Sequence, residues 1–146
     1  MADSDRIKRV AARIARAQDG GGQVVAVVSA MGNLTDELIA LAQQVSDRPN
    51  LREMDVLLST GELVSCTLMA MALRSMGRKA ISLSGAQAGI RTDESHGRAR
   101  ITGVEPWRIL RELQEGNIVI VAGFQGITDS MDVTTLGRGG SDTTAV

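Results

Sequence analysis

The end of the chain carries the residues best suited to holding an anion. Residues 134–146 read TTLGRGGSDTTAV, so Arg138 lies among glycines and is soon followed by Ser141 and Asp142. A guanidinium offers a planar fork that fits a carboxylate or phosphate, and glycines let backbone N–H groups approach a ligand. A serine followed by Asp-Thr-Thr also favours a helix start, which attracts anions. The segment predicts an anion-binding turn. From spacing alone, a glycine-rich turn with one solvated arginine is about as well supported.

Two hydroxyls follow a predicted strand upstream. Residues 24–28 are a continuous run dominated by valine, and Ser29 and Thr35 come after it. Such a run suits a strand covered on both faces in a parallel sheet. Because α/β proteins bind ligands at the carboxyl ends of strands, the two hydroxyls are candidate ligand contacts. Either one taken alone is more commonly a turn or cap residue.

Glu62 is an acid in an otherwise apolar region. Residues 51–76 read as two helices broken near Ser59, Thr60 and Gly61, which places Glu62 at the start of the second helix. Taken alone, such an acid is most simply explained by the helix dipole, which favours carboxylates in the first turn.

The other elements predict an α/β fold with a mainly parallel sheet. Their order is helix, strand, helices, strand, helix, strand, which is typical of that class. Each strong strand ends in a small-residue loop, so we expect these loops to meet at one edge of the sheet. The segments that carry this pattern are a helix at 5–18, strands at 79–83 and 118–122, a minor strand at 99–101, a helix from Pro106 to 115 and a hairpin at 127–133.

Composition narrows the class of protein. The chain has 146 residues, 43 % apolar and 23 % charged, which fits one globular domain. Its 16 basic and 17 acidic side chains nearly cancel, so we expect no nucleic-acid partner. Lone Cys66 fits a reducing cytoplasm, and no apolar run is expected to reach membrane-spanning length. His96 is the only histidine, so no metal site is expected.

Five segments together resemble the aspartate kinases, which belong to the amino acid kinase superfamily. They stand in the order found in that family, and the resemblance covers essentially the whole chain. TLGRGGSD is highly specific on its own. The segments are VVSAM at 27–31, LSTGE at 58–62, SGAQAG at 84–89, VAGFQG at 121–126 and residues 134–146.

The resemblance implies a reaction and a role for each candidate residue. Aspartate kinases transfer the γ-phosphoryl group of ATP, with Mg²⁺, to the side-chain carboxylate of L-aspartate, giving 4-phospho-L-aspartate on the route to lysine, threonine and methionine. Arg138 would clamp the carboxylate that is not phosphorylated, and Asp142 would orient charged groups near the transferred phosphate. Glu62 would accept the substrate ammonium, and Phe124 would form a wall of the pocket.

The remaining contacts would surround the reacting carboxylate. By the same resemblance, Ser29, Thr35 and Ser141 would donate hydrogen bonds to it, and Gly139 and Gly140 would supply backbone N–H groups. This suits phosphoryl transfer, which asks a protein mainly to position two anions and offset their charge.

The sequence also departs from the family. The Lys-Phe-Gly-Gly-Thr-Ser turn that holds the nucleotide phosphates is absent, and neither Lys8 nor Lys79 stands at the motif lysine. The chain ends at Val146, where the family continues into the nucleotide-binding half and regulatory ACT domains. We therefore expect a partial, three-layer αβα amino acid kinase domain over residues 1–146, with an unpaired sheet edge and no assignable ATP-binding residues.

These departures leave several hypotheses open. The chain alone is expected to be inactive or nearly so. It could instead be a non-catalytic module that binds aspartate, or a fragment that needs a complementing chain or a homo-oligomer to fold. A related kinase acting on glutamate or carbamate is less well supported, because the RGGSD and STGE segments match aspartate kinases together.

Overall fold

The structure, a computed structural model, describes residues 2–137 and 140–146. These residues form five helices and seven strands. In chain order they are α1 (Ala2–Asp19), β1 (Val25–Val28), α2 (Leu34–Val45), α3 (Leu51–Ser75), β2 (Ala80–Leu83), β3 (Ile90–Thr92), β4 (Ile101–Val104), α4 (Trp107–Gln114), β5 (Ile118–Ala122), β6 (Gln125–Ile127), β7 (Val133–Thr135) and α5 (Gly140–Ala145).

The first sheet, sheet A, is wholly parallel, as the sequence predicts. Its strand order is β1-β5-β2, and β5 is buried over its whole length. β1 forms an edge of the sheet as the described residues build it, and its Val25 side chain is 43 % exposed. Ala26 and Val28 pack on the apolar cluster of one sheet face and Val27 packs on that of the other, so both faces of β1 are covered in part, as the sequence predicts.

The second sheet, sheet B, is mixed and lies partly outside what the sequence predicts. Its strand order is β4-β3-β6-β7. The predicted hairpin is confirmed, since β6 and β7 pair antiparallel and the Thr128 N–H donates to Asp132 across the turn at 2.9 Å. β3 was not predicted, and the minor strand expected at 99–101 runs instead from Ile101 to Val104.

Two apolar clusters give the fold its three layers. One packs α1 and α3 on sheet A and includes Ala11, Leu73 and Ile120, all fully buried. The other covers the opposite face of the sheet and joins Val119 and Val121 to partly buried side chains of α4 and β4. The three-layer αβα architecture expected for an amino acid kinase is therefore confirmed.

Helix α3 is continuous, so the predicted break near Gly61 is wrong. The hydroxyls of Ser59 and Thr60 donate to the carbonyls of Val56 and Leu57 within the helix, at 2.7 and 2.6 Å. Such bonds let Ser and Thr remain inside a helix. Gly61 is needed for close packing, because a Cβ there would lie 3.0 Å from the Cβ of Ala30.

By length and composition alone, α3 could also cross a membrane, so the expectation that no apolar segment reaches that length is wrong. In the structure α3 packs against α1, β2, β5 and β7. Its buried side chains include Asp55 and Glu62. This is the packing of a core helix in a layered fold.

Asp55 ties sheet B to α3. Its carboxylate is 1 % exposed and accepts hydrogen bonds from the Thr135 hydroxyl at 2.6 Å and the Gly97 N–H at 3.0 Å. The Nδ1 atom of His96 lies 2.7 Å from the other carboxylate oxygen. The lone histidine thus packs on a buried carboxylate. Within residues 2–137 and 140–146, no group of three His, Cys, Asp or Glu side chains is placed to hold a metal ion.

The buried thiol of Cys66 should be chemically inert in the folded chain. Burial raises its pKa from 9.0 to about 11, and the side chain is 1 % exposed. Because the thiolate is the reactive form, alkylation by iodoacetamide near pH 8 should be at least about a hundredfold slower than in denaturant. Mass spectrometry of timed samples measures both rates. Equal rates would show that the α3 core opens readily.

Candidate active site

A small cavity opens where the loops after β1 and β5 meet the start of α5. Its volume is about 270 Å³, below the range of about 300–1,000 Å³ common for drug-sized ligands. The predicted site residues converge here. The lining residues are Ser29, Ala30, Thr35, Glu62, Phe124, Gly140, Ser141 and Asp142. The predicted contacts Arg138 and Gly139 lie outside the described residues.

The Glu62 carboxylate is the most unusual group in this cavity. Its side chain is 4 % exposed, and Oε1 accepts a hydrogen bond from the Ala30 N–H at 3.3 Å. Oε2 is buried and has no hydrogen-bond partner among the described residues. Burial raises the pKa of this carboxyl, and its backbone hydrogen bonds offset that only in part. A buried acceptor without a donor is unfavourable, so Oε2 is a ready partner for a cationic ligand group.

The middle of α3, not a helix start, supplies Glu62. The residue is the twelfth of the helix that begins at Leu51, too far along for its carboxylate to act as a first-turn acid. The close approach of Gly61 to Ala30 brings α3 against the loop after β1. That approach places the Ala30 N–H within reach of the carboxylate.

Ser29 and Thr35 reach the cavity from the two ends of one loop. Ser29 directly follows β1, and Thr35 lies in the first turn of α2. The Asn33 side chain at the helix start makes no capping hydrogen bond in the described part of the chain. The cavity is therefore bordered by a helix N-terminus and two hydroxyls, groups that suit an anion.

The opposite wall of the cavity combines a strained backbone conformation at Phe124 with close packing at two glycines. Phe124 has φ of +68°, a conformation that is uncommon for residues other than glycine and recurs at functional sites. A Cβ on Gly123 would lie 2.7 Å from the Ser141 Oγ, and one on Gly140 would lie 2.8 Å from the Phe124 ring. These glycines let α5 pack directly on the segment between β5 and β6.

The sequence did not single out three residues that shape this site. The Ala30 N–H fixes one oxygen of Glu62, Gly123 admits Ser141, and Gln125 holds the backbone behind Phe124. In the sequence, the one hint is a polar side chain, Gln125, between Phe124 and Gly126. Such a signal does not reveal its partners.

Comparison with known proteins identifies the family of the chain. The family model described as "Amino acid kinase family" matches residues 1–146. The chain is 60 % identical over 142 residues to the aspartokinase of Geobacillus stearothermophilus, covering 97 % of this chain and 35 % of that protein. It therefore spans about a third of the length of this curated relative.

Solved structures give the same result. The aspartate kinase of Synechocystis matches with a TM-score of 0.80 and 48 % identity, over 97 % of this chain and 23 % of the other. E. coli aspartokinase III, solved in complex with aspartate and ADP, matches with a TM-score of 0.63 and 33 % identity, over 77 % of this chain and 26 % of the other. The family match over residues 1–146, together with these similarities, shows that the chain belongs to the amino acid kinase family.

Proposed function

We propose that this chain forms the L-aspartate-binding part of an aspartate kinase, the enzyme that converts L-aspartate and ATP to 4-phospho-L-aspartate. The observation that carries the proposal is the Glu62 Oε2 atom, a buried acceptor that has no donor among the described residues and belongs to a side chain lining a small cavity. An α-amino acid brings an ammonium group that supplies this missing donor. The similarity to aspartokinases over 97 % of the chain supports aspartate as that amino acid.

The rest of the cavity suits the two carboxylates of aspartate. The hydroxyls of Ser29, Thr35 and Ser141 would donate to the carboxylate that is phosphorylated. Arg138 would hold the other carboxylate, a role that rests on the sequence. Asp142, which lines the cavity, would orient the charged groups near the transferred phosphate. This arrangement separates the cationic and anionic ends of the substrate and fixes their orientation.

ATP with Mg²⁺ would be the phosphoryl donor, and we assign no residue of this chain to the nucleotide. Magnesium is commonly held by one or two carboxylates together with substrate phosphates, and Asp142 is a carboxylate at this cavity. We propose that the chain alone binds aspartate and transfers little or no phosphoryl group. A cytoplasmic location, a role in lysine, threonine and methionine synthesis, and assembly with a second copy or a complementing chain remain predictions.

Calorimetry with two ligands tests the proposal. L-aspartate and succinate carry the same two carboxylates, but succinate lacks the ammonium group. If Glu62 binds that group, L-aspartate should bind at least about tenfold more tightly, the effect of one charged hydrogen bond. Equal affinities, or no heat with L-aspartate at millimolar concentration, would contradict the proposal.

A further inference from the structure

Gln125 lies behind the cavity and joins three elements. It is the first residue of β6 and is 3 % exposed. Its side-chain Nε2 donates to the Ser59 carbonyl of α3 at 2.9 Å. Its Oε1 accepts from the N–H of Gly85, in the loop after β2, at 3.2 Å. One buried side chain therefore holds α3, β6 and that loop together.

A side-chain amide satisfies both partners, whereas an apolar or an ionised side chain does not. One partner is a carbonyl oxygen and the other is an N–H group, so the site needs a donor and an acceptor a fixed distance apart. The loop is also pressed against Gln125, since a Cβ on Gly85 would lie 2.4 Å from the Gln125 carbonyl oxygen. A methionine would fill the space without either bond. An ionised glutamate would accept from Gly85 but could not donate to Ser59.

The two walls of the cavity meet at this amide. Ser59 lies three residues, about one helical turn, before Glu62 on α3. On the other side, Gln125 directly follows Phe124, against which Gly140 packs. The Nε2–Ser59 bond therefore fixes the separation between the Glu62 carboxylate and the wall made by Phe124 and α5.

We infer that Gln125 is a positioning residue that sets the distance between Glu62 and the Phe124 wall of the aspartate site. The inference rests on the proposed function, because it gives Glu62 its role in holding the substrate ammonium. Gln125 acts through these neighbours and is not itself among the residues that line the cavity.

The test compares Gln125→Met with Thr134→Val in the 146-residue chain. Thr134 is fully buried in the same sheet, and its Oγ1 lies 2.6 Å from the Thr92 Oγ1. Both variants lose buried side-chain hydrogen bonds, so both should lower the melting temperature. By calorimetry, Gln125→Met should weaken L-aspartate binding at least about tenfold and Thr134→Val less than about twofold. Affinities that fall equally in both variants would overturn the inference.

The amide resonance of Ala30 gives a second readout that needs no ligand. This N–H donates to Glu62 Oε1, so its chemical shift and pH titration report the position of the carboxylate. The chemical shift and the pH titration of this amide should differ from those of the unaltered chain in Gln125→Met and should be unchanged in Thr134→Val. If the unaltered chain binds no aspartate while this difference is seen, the proposed function fails and the positioning role stands. An unchanged Ala30 titration in Gln125→Met overturns the positioning role.

Gln125→Glu provides a rescue and covers the case in which the methionine variant does not fold. A protonated carboxyl group can donate to Ser59 and accept from Gly85 as the amide does, whereas an ionised one cannot. Burial favours protonation, so lowering the pH from about 7.5 to about 5.5 should bring its aspartate affinity back toward that of the unaltered chain at the same pH. An affinity ratio that stays constant over this range contradicts the donor role.

Discussion

Replacing Glu62 with glutamine should remove most of the affinity for L-aspartate while making the chain without ligand more stable. The first effect follows because the substrate ammonium would lose its charged partner in a buried site, a loss of about 2–5 kcal/mol or at least roughly thirtyfold in affinity. The second follows because Oε2 is buried and has no donor among the residues that the structure describes. Removing the charge there should raise the free energy of unfolding by about 1–3 kcal/mol. Calorimetry and urea unfolding measure the two effects.

The stability gain should depend on pH in a defined direction. Burial raises the pKa of Glu62 above its ordinary value of 4.5. A raised carboxyl pKa contributes stability that is fully present below the unfolded pKa and is lost as the pH rises through the folded pKa. The difference in stability between Glu62→Gln and the unaltered chain should therefore grow with pH across that interval.

Glu37→Gln is the matched control, since Glu37 is an exposed acid on α2. Glu37→Gln makes the same chemical change at the surface. It should alter neither the aspartate affinity nor the pH dependence of the free energy of unfolding by more than a few tenths of a kcal/mol. If Glu62→Gln is less stable than the unaltered chain at neutral pH, then Oε2 has a partner within the protein. The main support for an ammonium site would then be lost.

The sequence predicted the parts of this fold that depend on local pattern. The strands β1, β2 and β5 are short apolar runs ended by small residues, and the hairpin of β6 and β7 is marked by its polar turn. The resemblance to aspartate kinases, not the local pattern, predicted that Ser29 and Ser141 would lie near one another. Both residues line the same cavity.

The continuity of α3 could not be read from local pattern. Gly61 resembles a helix break in its own segment, but its role is set by contact with Ala30, which is distant in sequence. For the same reason, the lack of a partner for Glu62 Oε2 within residues 2–137 and 140–146 is a property of packing. Burial and hydrogen bonding of a side chain are decided by elements that meet only in the folded chain, whereas residue type and spacing are visible beforehand.

Among single added methyl groups, the one in Gly89→Ala is expected to reduce the stability of the chain most. This residue has φ of +83°, and a Cβ there would lie 2.0 Å from the Glu105 carbonyl oxygen and 2.6 Å from its carbon. Both are backbone atoms, so neither can rotate away. The Glu105 N–H also donates to the Gly89 carbonyl at 2.9 Å, and the next residue, Ile90, is buried and pairs with Val104. An alanine would have to separate β3 from the end of β4.

Gly89→Ala should therefore lower the free energy of unfolding by about 3–5 kcal/mol, the range of severe core disruptions. Gly89→Ala combines the strain of a positive φ with a steric clash, and Gly21→Ala separates these two causes. Gly21 has φ of +89° but no described atom within 4 Å of its Cβ position. The free energy of unfolding of Gly21→Ala should fall only by the cost of the positive φ, about 1–2 kcal/mol. Urea unfolding followed by circular dichroism gives both values. Equal losses in the two variants would mean that β3 and β4 can separate at little cost, and that the contact between Gly89 and Glu105 does not hold sheet B together.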